Sequence, residues 1–128
     1  MTTIPFDQKK PVIFLQVMLK NKSETRRLLM ILDTGATNCI ISREVAGMLG
    51  VHQESSKERM EIITASGVES VPFITIESVS VNGSAVRNVK TIIHDLPPKS
   101  FVDGLLGLSF LKQFNVCLKF KEGVVMFN

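Results

Sequence analysis

Leu28-Leu29-Met30-Ile31-Leu32-Asp33-Thr34-Gly35-Ala36-Thr37 is the stretch on which the reading of this chain turns. Five apolar residues in a row read as a buried strand, and the strand runs straight into a turn. Asp and Gly are turn material in their own right, so a plain strand-ending turn is one reading. The other is chemical: Gly35 lets the backbone bend closely, its N–H can bond the Asp33 carboxylate, and the Thr34 hydroxyl can hold the loop rigid. A second phrase far downstream favours chemistry. Gly104-Leu105-Leu106-Gly107-Leu108-Ser109-Phe110-Leu111 again carries apolar strand residues through a Gly turn into a short helix, a slight internal pseudo-repeat.

Working outward, the pattern is β with good punctuation. Pro11-Leu19 and Thr25-Leu32 flank Asn21-Lys22-Ser23-Glu24 and predict a first hairpin that delivers the chain into Asp33. Lys57-Thr64 and Val68-Val81 flank Ala65-Ser66-Gly67 and predict a second. Asn82-Gly83 between Val79-Ser80-Val81 and Ser84-Ala85-Val86 is a strong hairpin signal. Glu122-Gly123 joins a last pair. Two segments read as helix: Ser42-Leu49, with Ser at the N-cap and Gly50 as a stop, and Ser109-Phe114, again opened by Ser.

Composition limits the function classes. At 128 residues and 45% hydrophobic, residues 1–128 are expected to form one domain around one core. Eight Phe stand beside no Trp and no Tyr, so aromatic stacking on bases has little material. The net charge of +3 comes from scattered pairs such as Lys9-Lys10 and Arg26-Arg27, which read as solvated strand faces; no nucleic-acid partner is expected. Cys39 and Cys117 match no metal spacing and sit among apolar neighbours, so buried free thiols are expected, with one bridge between them the alternative if the fold brings them together. His52 and His94 read as surface or loop histidines, and Asp7, Asp95 and Asp103 as turn acids. No metal and no cofactor is called for. Pro11-Leu19 is too short to span a bilayer, and Lys20-Asn21-Lys22 follows where a signal cleavage site should be, so no membrane partner is expected for these residues and the location expected is cytoplasmic, with an anchor upstream of them left open.

The apolar-Asp33-Thr34-Gly35-Ala36 loop, the Thr64-Ala65-Ser66-Gly67 hairpin and the Leu105-Leu106-Gly107 phrase together resemble the retropepsin-like aspartic peptidases, the single-domain relatives of pepsin, and among them the cellular, non-viral type. The resemblance implies a mostly β fold: a closed acid-protease barrel with a flap hairpin and one or two short helices. It implies that Asp33 is catalytic, that Thr34, Gly35 and Ala36 complete the active-site loop, and that Ala65, Ser66, Gly67 and Val68 form the flap tip. Ile31, Ala36, Asn38 and Leu105 resemble floor positions of the cleft, with Thr37 and Asn38 suited to polar contacts further out; ordinary core packing is the other reading of Ile31 and Leu105.

Hydrolysing a peptide with water needs one group to take a proton and another to give one. Two neighbouring carboxylates do both, because like charges resist joint ionisation and the pair shares one proton. This chain has no second Asp-Thr-Gly, so the economical solution is a homodimer with Asp33 from each chain on the two-fold axis, cleaving a polypeptide substrate. Viral members commonly carry an Asp and an Arg where this chain has Thr37 and Leu108, so that ion pair is absent as a unit. Two other readings remain open at this level. One keeps the fold as a catalytically weak or inactive dimerisation or peptide-binding module, and the other is an unrelated small β-barrel that binds a ligand or an oligonucleotide, the latter disfavoured by the scattered basic residues and the lack of Tyr and Trp.

Overall fold

The computed structural model describes residues 1–51 and 58–128, so His52 and Lys57 lie outside the described residues. In chain order the elements are β1 (Thr2–Pro5), β2 (Phe14–Asn21), β3 (Glu24–Leu32), β4 (Cys39–Ile41), α1 (Arg43–Met48), β5 (Arg59–Thr64), β6 (Gly67–Val81), β7 (Ser84–Ile93), β8 (Gly104–Leu106), α2 (Leu108–Leu111), β9 (Val116–Lys119) and β10 (Val124–Phe127). The expected mostly β fold with two short helices is what forms.

Alternation along the strands creates the core. In β2 every second residue, Leu15, Val17 and Leu19, is buried, and in β3 Leu28, Met30 and Leu32 face them from the same side. The strands run β2-β3-β8-β4-β7-β6, and β6 returns to β2 through Met18↔Ser80, Leu19↔Val79 and Lys20↔Ser78, closing a six-stranded barrel. Closure removes the sheet edges that would otherwise stay open to other chains. Asn21 completes the seam, because its Oδ1 accepts from Glu77 N at 3.4 Å.

β6 is long because it serves two partners. Its second half, from Phe73, pairs with β7; its first half leaves the barrel and pairs with β5 alone, from Arg59↔Pro72 to Thr64↔Gly67. The Asn82-Gly83 turn has both residues at positive φ, 47° and 91°, the conformation that a tight two-residue hairpin needs. A separate three-stranded sheet, β1-β10-β9, packs through a cluster of rings: Phe110, Phe114 and Phe127 lie 5.2–5.9 Å apart between centroids.

Three expectations need correction. Helix α2 begins at Leu108 with Gly107 at its N-cap, and Ser109 does not cap it. The Ser109 hydroxyl instead accepts from Cys39 N at 2.8 Å and donates to the Lys90 carbonyl at 2.8 Å, pinning α2 to β4 and β7. Ser109→Ala is therefore expected to cost about 2 kcal/mol in chemical denaturation, roughly one per lost bond. Asp103 is a cross-strand tie, with its carboxylate accepting from Leu29 N at 2.9 Å.

Cys117 is exposed, because β9 is an edge strand and its odd-numbered side chains face outward, while Cys39 is buried as expected; both are free thiols. Burial pushes the Cys39 thiol up, against the opposing pull of hydrogen bonds from Ser109, Gly107 and Phe110. An alkylating reagent is expected to label Cys117 in the native protein and to reach Cys39 only on unfolding, as peptide mass spectrometry will report.

Candidate active site

Strand β3 carries Asp33 to the end of the barrel, and β8 lies parallel beside it with Met30↔Gly104, Ile31↔Leu105 and Leu32↔Leu106 in register. The two phrases singled out in the sequence are thus neighbours in space. Their loops are stitched together: Asp33 N donates to Leu106 O at 3.0 Å, and Leu108 N donates to Ala36 O at 2.8 Å. Such close approach is possible because Gly107 has no side chain. A Cβ there would lie 2.4 Å from Asn38 O and 2.7 Å from Ala36 O.

Within the loop, Gly35 N donates to Asp33 Oδ1 at 2.9 Å and Ala36 N to Asp33 O at 3.3 Å. The carboxylate is half-buried, with Thr34 and Gly35 exposed beside it. Oδ1 is a fixed acceptor, and Oδ2 is left without a hydrogen bond among the described residues, directed by a loop whose backbone is anchored elsewhere. No second carboxylate is hydrogen-bonded to Asp33 among the described residues. The Thr34 hydroxyl likewise has no hydrogen bond there, and Thr37 is exposed.

The expected floor positions separate. Ile31 and Leu105 are half-buried and side by side, and Ile40 of β4 continues the row through Ile40↔Leu105. Ile31, Leu105 and Ile40 therefore form an apolar strip across three strands, next to the Asp33 loop. Ile40 was not foreseen, since only the antiparallel β4–β8 pairing brings it there. Asn38 is buried, and its amide reaches Met60 Sδ of β5 at 3.9 Å, joining the loop to the flap-like hairpin.

At that hairpin's tip, Ala65 and Ser66 form the turn, Gly67 adopts φ 119°, and Thr64 Oγ1 both donates to Gly67 O and accepts from Ser66 N. Ile63 and Val68 face each other across the tip and are 89% and 68% exposed, an uncovered apolar pair on an arm outside the barrel. Ile63 was missed; its position opposite Val68, one step from the turn, was the available signal. Among the described residues no group of three or more His, Cys, Asp or Glu is gathered to hold a metal, and no helix is long and apolar enough to cross a membrane.

Comparison with known proteins fits this geometry. The family model described as gag-polyprotein putative aspartyl protease matches residues 20–113. A retropepsin-like aspartic protease from Rickettsia conorii, solved by crystallography, superposes with a TM-score of 0.76 at 23% identity, over 99% of this chain and 89% of that one. No curated protein matches the sequence. The fold is retropepsin-like.

Proposed function

From a chain that belongs to the gag-polyprotein putative aspartyl protease family, we propose an aspartic endopeptidase whose dyad is Asp33 of two copies meeting at a two-fold axis. The observation that carries this reading is the Asp33 loop itself: one carboxylate, oriented by Gly35 N and anchored through Leu106 and Leu108, presented at the rim of the barrel with no second carboxylate bonded to it among the described residues. One Asp33 ionised and one protonated divide the work. The ionised carboxylate takes a proton from water as the oxygen attacks the peptide carbonyl, and the protonated one donates to the carbonyl oxygen. Collapse of the tetrahedral intermediate then breaks the C–N bond as a proton passes to the leaving nitrogen. Thr34, Gly35 and Ala36 hold the loop, Ile31 and Leu105 floor the cleft, Thr37 and Asn38 flank it, and Ala65, Ser66, Gly67 and Val68 cover an extended substrate.

The small sheet supplies a means of pairing. Asn115 and Asn128 exchange N–H···O bonds and Gly123 N donates to Lys119 O, so odd residues of β9 point their backbone groups at β10. Val116 and Leu118 therefore direct theirs outward, an edge of two donors and two acceptors that is open among the described residues. The opposite edge is blunted. Phe6 N donates to Gly123 O, which turns Thr3 and Pro5 outward, and Pro5 has no N–H to offer. Two β9 edges pairing antiparallel about a two-fold would extend the sheet across both copies.

The test is digestion of a diverse peptide library from acidic to neutral pH, read by mass spectrometry, beside sedimentation equilibrium. Cleavage with a dimer is the expected result, and the absence of any cleavage by a dimeric protein would favour the binding-module reading. Leu118→Pro, which removes an N–H without a hydrogen bond among the described residues, is expected to leave the barrel folded, yield monomers and lose cleavage.

A further inference from the structure

The β6–β7 ladder ends, toward the flap, at Phe73↔Ile92. Beyond it the return strand of the β5–β6 hairpin pairs, among the described residues, with β5 alone; Val71 at its base is buried, and two polar side-chain contacts reach the arm from outside it: Asn38 to Met60 on one strand, and His94 to Glu69 on the other. His94 is anchored by its backbone, with His94 N donating to Ile41 O at 3.0 Å. Its ring sits between two acceptors. Nδ1 lies 2.8 Å from the Asp95 carbonyl and Nε2 lies 3.4 Å from Glu69 Oε1.

A carbonyl oxygen only accepts, so Nδ1 must carry the hydrogen of that bond. In the neutral ring Nε2 is then a bare lone pair facing a carboxylate oxygen, and nothing bonds the two. One added proton on Nε2 converts this opposed pair into an imidazolium–carboxylate bond. Among the described residues, the surrounding charges leave Glu69 as the partner that responds. Asp95 is occupied by α1, its carboxylate accepting from Arg43 N at 3.0 Å and lying 3.7 Å from Arg43 Nη1. On β5, Arg59 is committed to the Ser70 hydroxyl and carbonyl, and Glu61 stands opposite Ser70.

We infer that Glu69 and His94 form a latch, closed by acid, which holds the return strand of the flap-like hairpin against the end of β7 and so sets the height of the arm. They are positioning residues, acting through the hairpin. The effect on cleavage rests on the peptidase reading, but the latch itself does not.

The test is amide hydrogen exchange of residues 67–71 between about pH 7.5 and about pH 5, corrected for the intrinsic pH dependence of exchange. Protection in the wild type is expected to rise about threefold toward acid, the scale of a half-exposed ion pair. Glu69→Gln puts an amide N–H opposite the bare Nε2, so its protection at neutral pH is expected to equal the acid value of the wild type, with no pH step. His94→Ala is expected to stay at the low value throughout. A wild type without the step, or a step that persists in Glu69→Gln, would overturn the latch. If the step appears and no peptide is cleaved, the peptidase reading fails and the latch stands; if both hold, the KM for peptide is expected to fall toward acid in the wild type and not in Glu69→Gln.

Discussion

Asp33→Asn is expected to lower peptide cleavage by at least about a thousandfold, the range of losing general acid–base chemistry, while the protein keeps its fold and the proposed dimer still forms. The carboxamide neither takes a proton from water nor shares one with its mate, so both roles fail together. The loop survives because the bond from Gly35 N needs only an acceptor at Oδ1, which Asn retains, and the anchor from Asp33 N to Leu106 O belongs to the backbone. Peptide-library digestion and thermal melting measure the two halves of this expectation separately. Cleavage that survives in a clean preparation of the Asp33→Asn variant would sink the assignment of Asp33.

Gly104→Ala is expected to have the largest effect on stability. A Cβ at Gly104 would stand 2.1 Å from Ile40 O and 3.0 Å from Met30 Cε, and the first of these is backbone that cannot swing aside. Relief requires β8 to separate from β4, where Ile41↔Gly104 is one of two registered pairs. The cost is about 3 kcal/mol, at the upper end of ordinary overpacking, or a melting temperature lower by roughly 10 °C in a chain of this size. Gly50→Ala makes the useful contrast, since it meets no atom within 4 Å and has only its φ of 74° to oppose it. Differential scanning calorimetry of the two variants separates a steric clash from backbone strain.

The parts of the fold that are legible in the sequence are those written in adjacent residues. The Asn82-Gly83 turn, the Ala65-Ser66 turn and the Ser42 cap of α1, which accepts from Val45 N at 3.2 Å, each follow from local chemistry. The Asp33-Thr34-Gly35 loop is legible for the same reason. What escapes is set by partners distant in sequence. β4 is three residues long and exists because β7 and β8 flank it, and β1 forms because β10 returns to meet it. Ile40 enters the apolar strip only through that pairing. Ser109 looks like a helix cap because Ser usually is one at a helix start, yet the nearby Cys39 N and Lys90 O draw its hydroxyl away from that role. Cys117 looks buried among apolar neighbours because a local window does not reveal that β9 is a sheet edge.

Mixing wild-type chains with Asp33→Asn chains, at fixed total concentration above the dimer threshold and after exchange of subunits, tests the central claim most directly. If one dyad needs Asp33 from each of two copies, mixed dimers are inactive and total cleavage follows the square of the wild-type fraction. Cleavage proportional to the wild-type fraction itself would mean that a single chain suffices, and would contradict a dyad built from two.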